Sequence, residues 1–254
     1  MSPLPPTNKK TMTEKNHPLP GTPGNVIQIF RPLISQPDGT RCLLLSIFLL
    51  CCILLAGGCS RTYYAAMEKV GVHKRDILVD RIEGARDSQT AAQKQFKSAL
   101  AQFDSVIKLK NTDLKQAYEK LNREYQGCRK AAEKVSSRID KVEDVSEALF
   151  DEWKNELDLY ENKELQRASK HQFRTTRRQY QEMLKSMRSA EASMEPVLRT
   201  FRDNVLFLKH NLNAQAIGSL QPEFTSLKKD IDTLIRKMNA AIGKSNAFIA
   251  GMGS

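Results

Sequence analysis

The sequence predicts an all-α protein: a long antiparallel coiled-coil-like helical bundle, preceded by a disordered tail and a signal-peptide or lipid-anchor segment. Three observations predict it. Eight of the ten prolines lie in the first 40 residues, and only Pro196 and Pro222 lie beyond. The remaining body is rich in Ala, Gln, Glu, Lys, Arg and Leu, which are good helix formers, and lacks the alternating β-branched runs of strands. Apolar residues recur along it at alternating spacings of four and three, the rhythm of a helix packed against other helices.

Residues 1–25 are polar and proline-rich, a composition that buries too little apolar surface to fold, and residues 1–41 are expected to form a disordered tail. Residues 42–58 read CLLLSIFLLCCILLAGG, carry no charge and follow Arg41. Seventeen residues is short for a bilayer span and ample for the apolar core of a signal peptide. The run ends in Leu55-Ala56-Gly57-Gly58-Cys59, and small residues before a cysteine resemble a bacterial lipobox. Cleavage is therefore expected between Gly58 and Cys59, with lipidation of Cys59. A branched apolar residue is usual where Ala56 stands. Ser60, rather than Asp, follows the cysteine, which by resemblance to enterobacterial lipoproteins suggests transfer to the outer membrane; the inner membrane is the alternative. Forty-one residues precede the apolar run, far more than such signals carry, so a start nearer Val26 is expected. An uncleaved single-pass anchor is the competing reading.

Residues 59–254 are expected to form one helical domain. Tyr63, Tyr64, Met67 and Val70 make a short amphipathic stretch suited to a membrane surface. A weak seam runs through Phe96, Leu100, Phe103 and Ile107, and Asn111-Thr112 offers a cap. The strongest seam follows: Leu114, Tyr118, Leu121, Tyr125, Cys128, Ala132, Val135, Ile139, Val142, Ser146, Leu149 and Trp153. Continued to the Asn162 region it makes a rod of about 70 Å.

Near Asn162 that seam meets basic residues, and the next seam projected backwards meets polar ones. Charge changes sign there too. Residues 140–164 hold ten acids against three lysines, whereas residues 165–188 hold seven basic residues against Glu182 alone. A fold-back at about residue 163 would lay the acidic stretch beside the basic one, fixing register more than stability. One unbroken helix in an antiparallel dimer is the alternative. The next seam is Thr176, Tyr180, Met183, Met187, Ala190, Met194, Val197 and Phe201, continuing near Val205, Leu208 and Leu212. Its phase survives Pro196, so a kink or tight restart is expected after Ser193. Gly218-Ser219 reads as a helix stop and a new cap, with Pro222 in the first turn of a last helix carrying Leu220, Phe224, Leu227, Ile231, Leu234, Met238, Ala241, Ser245 and Phe248.

The net charge is +11, of which +8 sits beyond residue 59. Such an excess favours anionic partners. The stripe Lys170, Arg174, Arg177, Arg178 and Lys185 could dock an anionic surface, although its first reading is as the complement of the acidic stretch. The aromatics between its basic residues, Phe173 and Tyr180, fall on the apolar seam and not on the basic face, which argues against single-stranded nucleic acid. Catalytic signals are missing. His17, His73, His171 and His210 fall at no metal-ligand spacing and read as solvent-facing. No serine or cysteine sits in a nucleophile elbow. Gly243-Lys244-Ser245 imitates the end of a phosphate-binding loop, but Met238 stands where that loop needs glycine, so no nucleotide is expected. Of five cysteines only Cys128 lies in the body, so there is no disulfide framework.

The segment CSRTYYAAMEKVGVHKRDILVDRIEGARDSQ, from Cys59 to Gln89, resembles the start of an uncharacterised proteobacterial family, domain of unknown function 2959. The likeness runs to the C-terminus; the N-terminal tail departs from the usual pattern. It implies periplasmic lipoproteins with coiled-coil bodies and no known activity. Some members carry names suggesting a DNA-repair ATPase. The expectation is a non-enzymatic, cofactor-free lipoprotein of the cell envelope facing the periplasm, carrying the fatty acyl groups (palmitate) of a lipid anchor. It would act as a spacer or docking scaffold, with the membrane, an envelope protein or a second copy as partner. The alternatives are a cytoplasm-facing coiled-coil protein of DNA maintenance and a single-pass membrane-anchored adaptor.

Overall fold

A computed structural model of the chain describes residues 63–64, 67–68, 71–108, 114–211 and 214–253. The tail, the apolar run 42–58, Gly58, Cys59, His17, Leu212 and the Asn111-Thr112 cap lie outside these. Every element among the described residues is helical: α1 (Lys74–Ile107), α2 (Leu114–Glu156), a single 3-10 turn (Leu157–Leu159), α3 (Lys163–Ala192), α4 (Met194–His210) and α5 (Ala214–Gly253). At ~1.5 Å per residue α2 is a rod of about 64 Å. None of these helices is long and apolar enough to cross a membrane.

The elements close into a four-membered ring, with α3 and α4 together acting as one member. α1 packs on α2, α2 on α3 and α4, those two on α5, and α5 on α1. Each neighbouring pair is antiparallel. Lys74 meets Glu152 and Gln95 meets Glu124 between α1 and α2. Trp153 meets Ser169 and Arg188 meets Asp140 between α2 and α3. Arg86 meets Asn246 and Gln93 meets Asn239 between α1 and α5. The expected fold-back within one chain is thus present, at the 3-10 turn and Asn162. Asn162 caps α3 by accepting from the amides of Glu164 and Leu165 at 2.9 and 3.2 Å, satisfying two of the donors a helix start leaves open.

The three strong seams supply much of the core. Leu121, Cys128, Ile139, Val142, Met183, Met187, Met194, Phe201, Leu208, Leu227, Ile231 and Met238 are all buried. Aromatics gather towards the two ends. Phe103, Tyr125, Phe201 and Phe224 stack at one, and Phe150, Trp153, Phe173, Tyr180 and Phe248 at the other. Between them α1 contributes small side chains: Ala85, Ala92 and Ala99 are fully buried. Gln89 is fully buried among them, and neither its Oε1 nor its Nε2 has a hydrogen-bond partner.

Two expectations about breaks fare differently. The helix restarts at Ser193 as expected: α3 ends at Ala192, and Pro196 falls in the first turn of α4, where the missing amide costs nothing. Gly218-Ser219 is not a stop. α5 begins at Ala214 and runs through both residues with Pro222 inside it. Ser219 Oγ bonds back to the Gln215 carbonyl at 3.3 Å instead of capping a new helix. Ile217 and Leu220 are buried, so core contacts on both sides of Gly218 hold the helix together against its local preference. The first seam also starts earlier than Phe96, since Ile77, Leu78 and Ile82 are core residues of α1.

Candidate functional site

Three polar constellations stand out against this apolar scaffold. The first fastens the chain entering the bundle. Residues 63–64 and 67–68 are helical, and Gly71 ends that turn with φ +83. The Val72 amide donates to the Met67 carbonyl and the Gly71 amide to that of Glu68, at 3.0 and 2.9 Å, the paired bonds of a glycine-closed helix end. A Cβ would meet nothing there, so glycine is needed only for the dihedral. The reversal folds Tyr64 back along the bundle, where its hydroxyl donates to Asp144 at 2.6 Å. Burial, with that bond and the Asp144 charge, pushes the phenol well above its usual range. Lys74, largely buried, donates to Glu152 at 2.9 Å and pairs with Glu68 at 2.5 Å. Burial alone would lower its ammonium, but the hydrogen bonds and charges of the two carboxylates outweigh it and hold it above the ordinary lysine range.

The second constellation centres on Arg188 of α3. It donates to Glu191 at 2.7 Å, to Asp140 at 2.7 Å, and to Glu143. Despite partial burial, these bonds hold the guanidinium above its usual range. Beside it Ser146 and Tyr180 form a buried hydroxyl pair 2.5 Å apart, and burial pushes the Tyr180 phenol up to about 12.

The third is a groove on the flank of the fold-back, about 510 Å³ in volume, lined by α3, the 3-10 turn and Lys154 of α2. Lys170, Arg174 and Arg177 of the expected basic stripe line it, joined by Arg167 and by Lys154 from α2. Arg178 and Lys185 are exposed but do not line it. The expected zipper of charge is therefore carried differently. None of the five stripe residues makes an ion pair among the described residues; the acidic stretch is met by Arg188, Tyr64 and Lys74 instead. Lys154 lies 13 residues from Arg167 in the chain, and only the fold-back at Asn162 brings the two together. The signal that would have found the pair is the turn, not the stripe.

The remaining candidates are structural. His73, His171 and His210 are exposed. No group of three or more His, Cys, Asp or Glu among the described residues could hold a metal ion. Gly243, Lys244 and Ser245 lie within unbroken α5; Ser245 is buried and donates to the Ala241 carbonyl at 2.8 Å. No phosphate can be wrapped by amides already spent on a helix. Cys128 is a buried free thiol, 3.7 Å from the Gln95 carbonyl it donates to, and burial pushes its pKa up to about 12. A protonated, buried thiol is a poor nucleophile.

Fold and constellations define a class: a closed antiparallel four-helix bundle, with a fastened entry segment and a cation-lined groove. The chain belongs to the family described as protein of unknown function (DUF2959), which matches residues 63–252. No curated protein and no solved structure matches it.

Proposed function

We propose that this is a lipoprotein of the cell envelope, attached to a membrane through Cys59 and facing the periplasm. There its helical bundle is a docking scaffold for an envelope protein or for a second copy, working by binding rather than by catalysis. One observation carries the reading. The lipobox-like Leu55-Ala56-Gly57-Gly58-Cys59 stands only four residues before Tyr63, where the family's domain begins. A processed chain would then start almost at the folded body, with the lipid in place of the removed apolar run. The bundle supports the non-catalytic part, because its seams are consumed in packing helix on helix. Ser60 favours the outer membrane over the inner.

Labelling growing cells with radioactive palmitate tests the attachment. Wild-type chain is expected to take up label, and Cys59→Ser to lose it and remain at its precursor mass. Absence of label in the wild type sinks the proposal. Density-gradient separation of the two membranes then reports which one holds the labelled chain.

A further inference from the structure

Arg167, Lys170, Arg174 and Arg177 follow one another at spacings of three, four and three residues, which sets them on a single face of α3. Lys154 looks onto them from α2. All five are exposed, and no carboxylate lies within 4 Å of any of them among the described residues. The fold makes no ion pair with them, since Arg188 binds the acids of α2 without their help. Gathered around one depression they repel each other, and Asp158 is the single acid among the groove's lining residues. An entering anion relieves that repulsion.

The floor narrows the choice of anion. It is formed by buried Leu157 and Phe173, with the Arg177 guanidinium 5.9 Å over the Phe173 ring. A cationic rim over an apolar floor matches a ligand that is anionic at one end and carbon-rich next to it. Guanidinium forks suit the paired oxygens of a phosphate. The volume is that of a site for a small molecule or a headgroup. A free phosphate ion would gain nothing from the apolar floor.

We propose that this groove binds the phosphate-bearing headgroup of an anionic phospholipid. It would give the bundle a second hold on a bilayer, beyond attachment at Cys59 and independent of it. The site is carried by α3, the 3-10 turn and the end of α2, and stands whether or not the cysteine is lipidated.

The test uses the full chain purified in a neutral detergent. Thermal unfolding is followed as monomeric dihexanoyl phosphatidylglycerol is added. Dihexanoyl phosphatidylcholine and sodium phosphate serve as comparisons at matched ionic strength. Phosphatidylglycerol near 100 times its dissociation constant should raise Tm by about 5–11 °C, and the two comparisons should not. The double variant Lys170→Gln/Arg174→Gln should weaken the apparent affinity at least tenfold. The double variant Arg178→Gln/Lys185→Gln removes the same charge outside the groove and should keep the wild-type response. All four side chains are exposed and without ion pairs, so both variants should unfold near the wild-type temperature when no lipid is present. An equal rise with sodium phosphate, no rise with phosphatidylglycerol, or equal losses in the two double variants would overturn the proposal. A chain that takes no palmitate can still pass this test, and a labelled chain can still fail it.

Discussion

Replacing Gln89 by methionine should make the protein more stable, against the usual direction of core mutations. Gln89 is fully buried midway along α1, and both polar atoms of its amide lack a partner. Burying an unsatisfied amide costs roughly 1–3 kcal/mol. Methionine is unbranched, of similar length, and equally good in a helix, so neither shape nor propensity opposes the exchange. The gain should be about 1–3 kcal/mol, or a rise in Tm of about 2–12 °C for a body of this size. Urea denaturation followed by circular dichroism at 222 nm measures it. The midpoint should move up with the slope unchanged, because the surface exposed on unfolding is nearly the same. Destabilisation by about 1 kcal/mol or more would refute the reasoning and mean that the amide has a partner within the bundle.

Arg188→Met should cost about 1 kcal/mol at low ionic strength, because the three carboxylates it joins are all partly solvated. Most of that loss should vanish in 1 M salt, where the screening length falls to about 3 Å, as paired urea titrations would reveal. Cys128 should resist thiol reagents until the bundle unfolds, and its raised pKa gives a sign to the alkaline response. The protonated thiol is favoured in the folded state, so its contribution is complete below pH 9 and is lost as pH rises from 9 towards about 12. Tyr180 adds a loss of the same sign between its ordinary value of 10 and about 12. Cys128→Ala should therefore flatten the fall of Tm between pH 9 and 11, whatever it does to Tm at pH 7.

The long helices and the fold-back were readable because each rests on many positions at once. A seam of a dozen residues outweighs any single exception, and the exhaustion of both seams near Asn162 coincides with the change in charge. α1 was only half visible, since its core face is built from Ala85, Ala92, Ala99 and Gln89, residues that also populate solvent-facing helices. Gly218 misled for the opposite reason. Glycine and proline signals are local, and burial of Ile217 and Leu220 on either side overrides them. In the groove, three of the five cations were visible as a stripe. Lys154 could not be seen, because its membership depends on a neighbour across the turn. The partners of the acidic stretch were hidden likewise: Tyr64 and Lys74 come from some 80 residues upstream.

The clasp between Tyr64 and Asp144 fixes where a pull on the chain would be felt. Asp144 lies 12 residues before the end of α2 at Glu156, about 18 Å along the rod. Cys59 precedes Tyr63 by four residues, at most about 14 Å of extended chain. A lipid at that cysteine would therefore grip the rod partway along its side, as a pivot grips a lever. The short arm, about 18 Å, would be kept near the bilayer, while the long arm, about 46 Å, would be free to swing about that pivot.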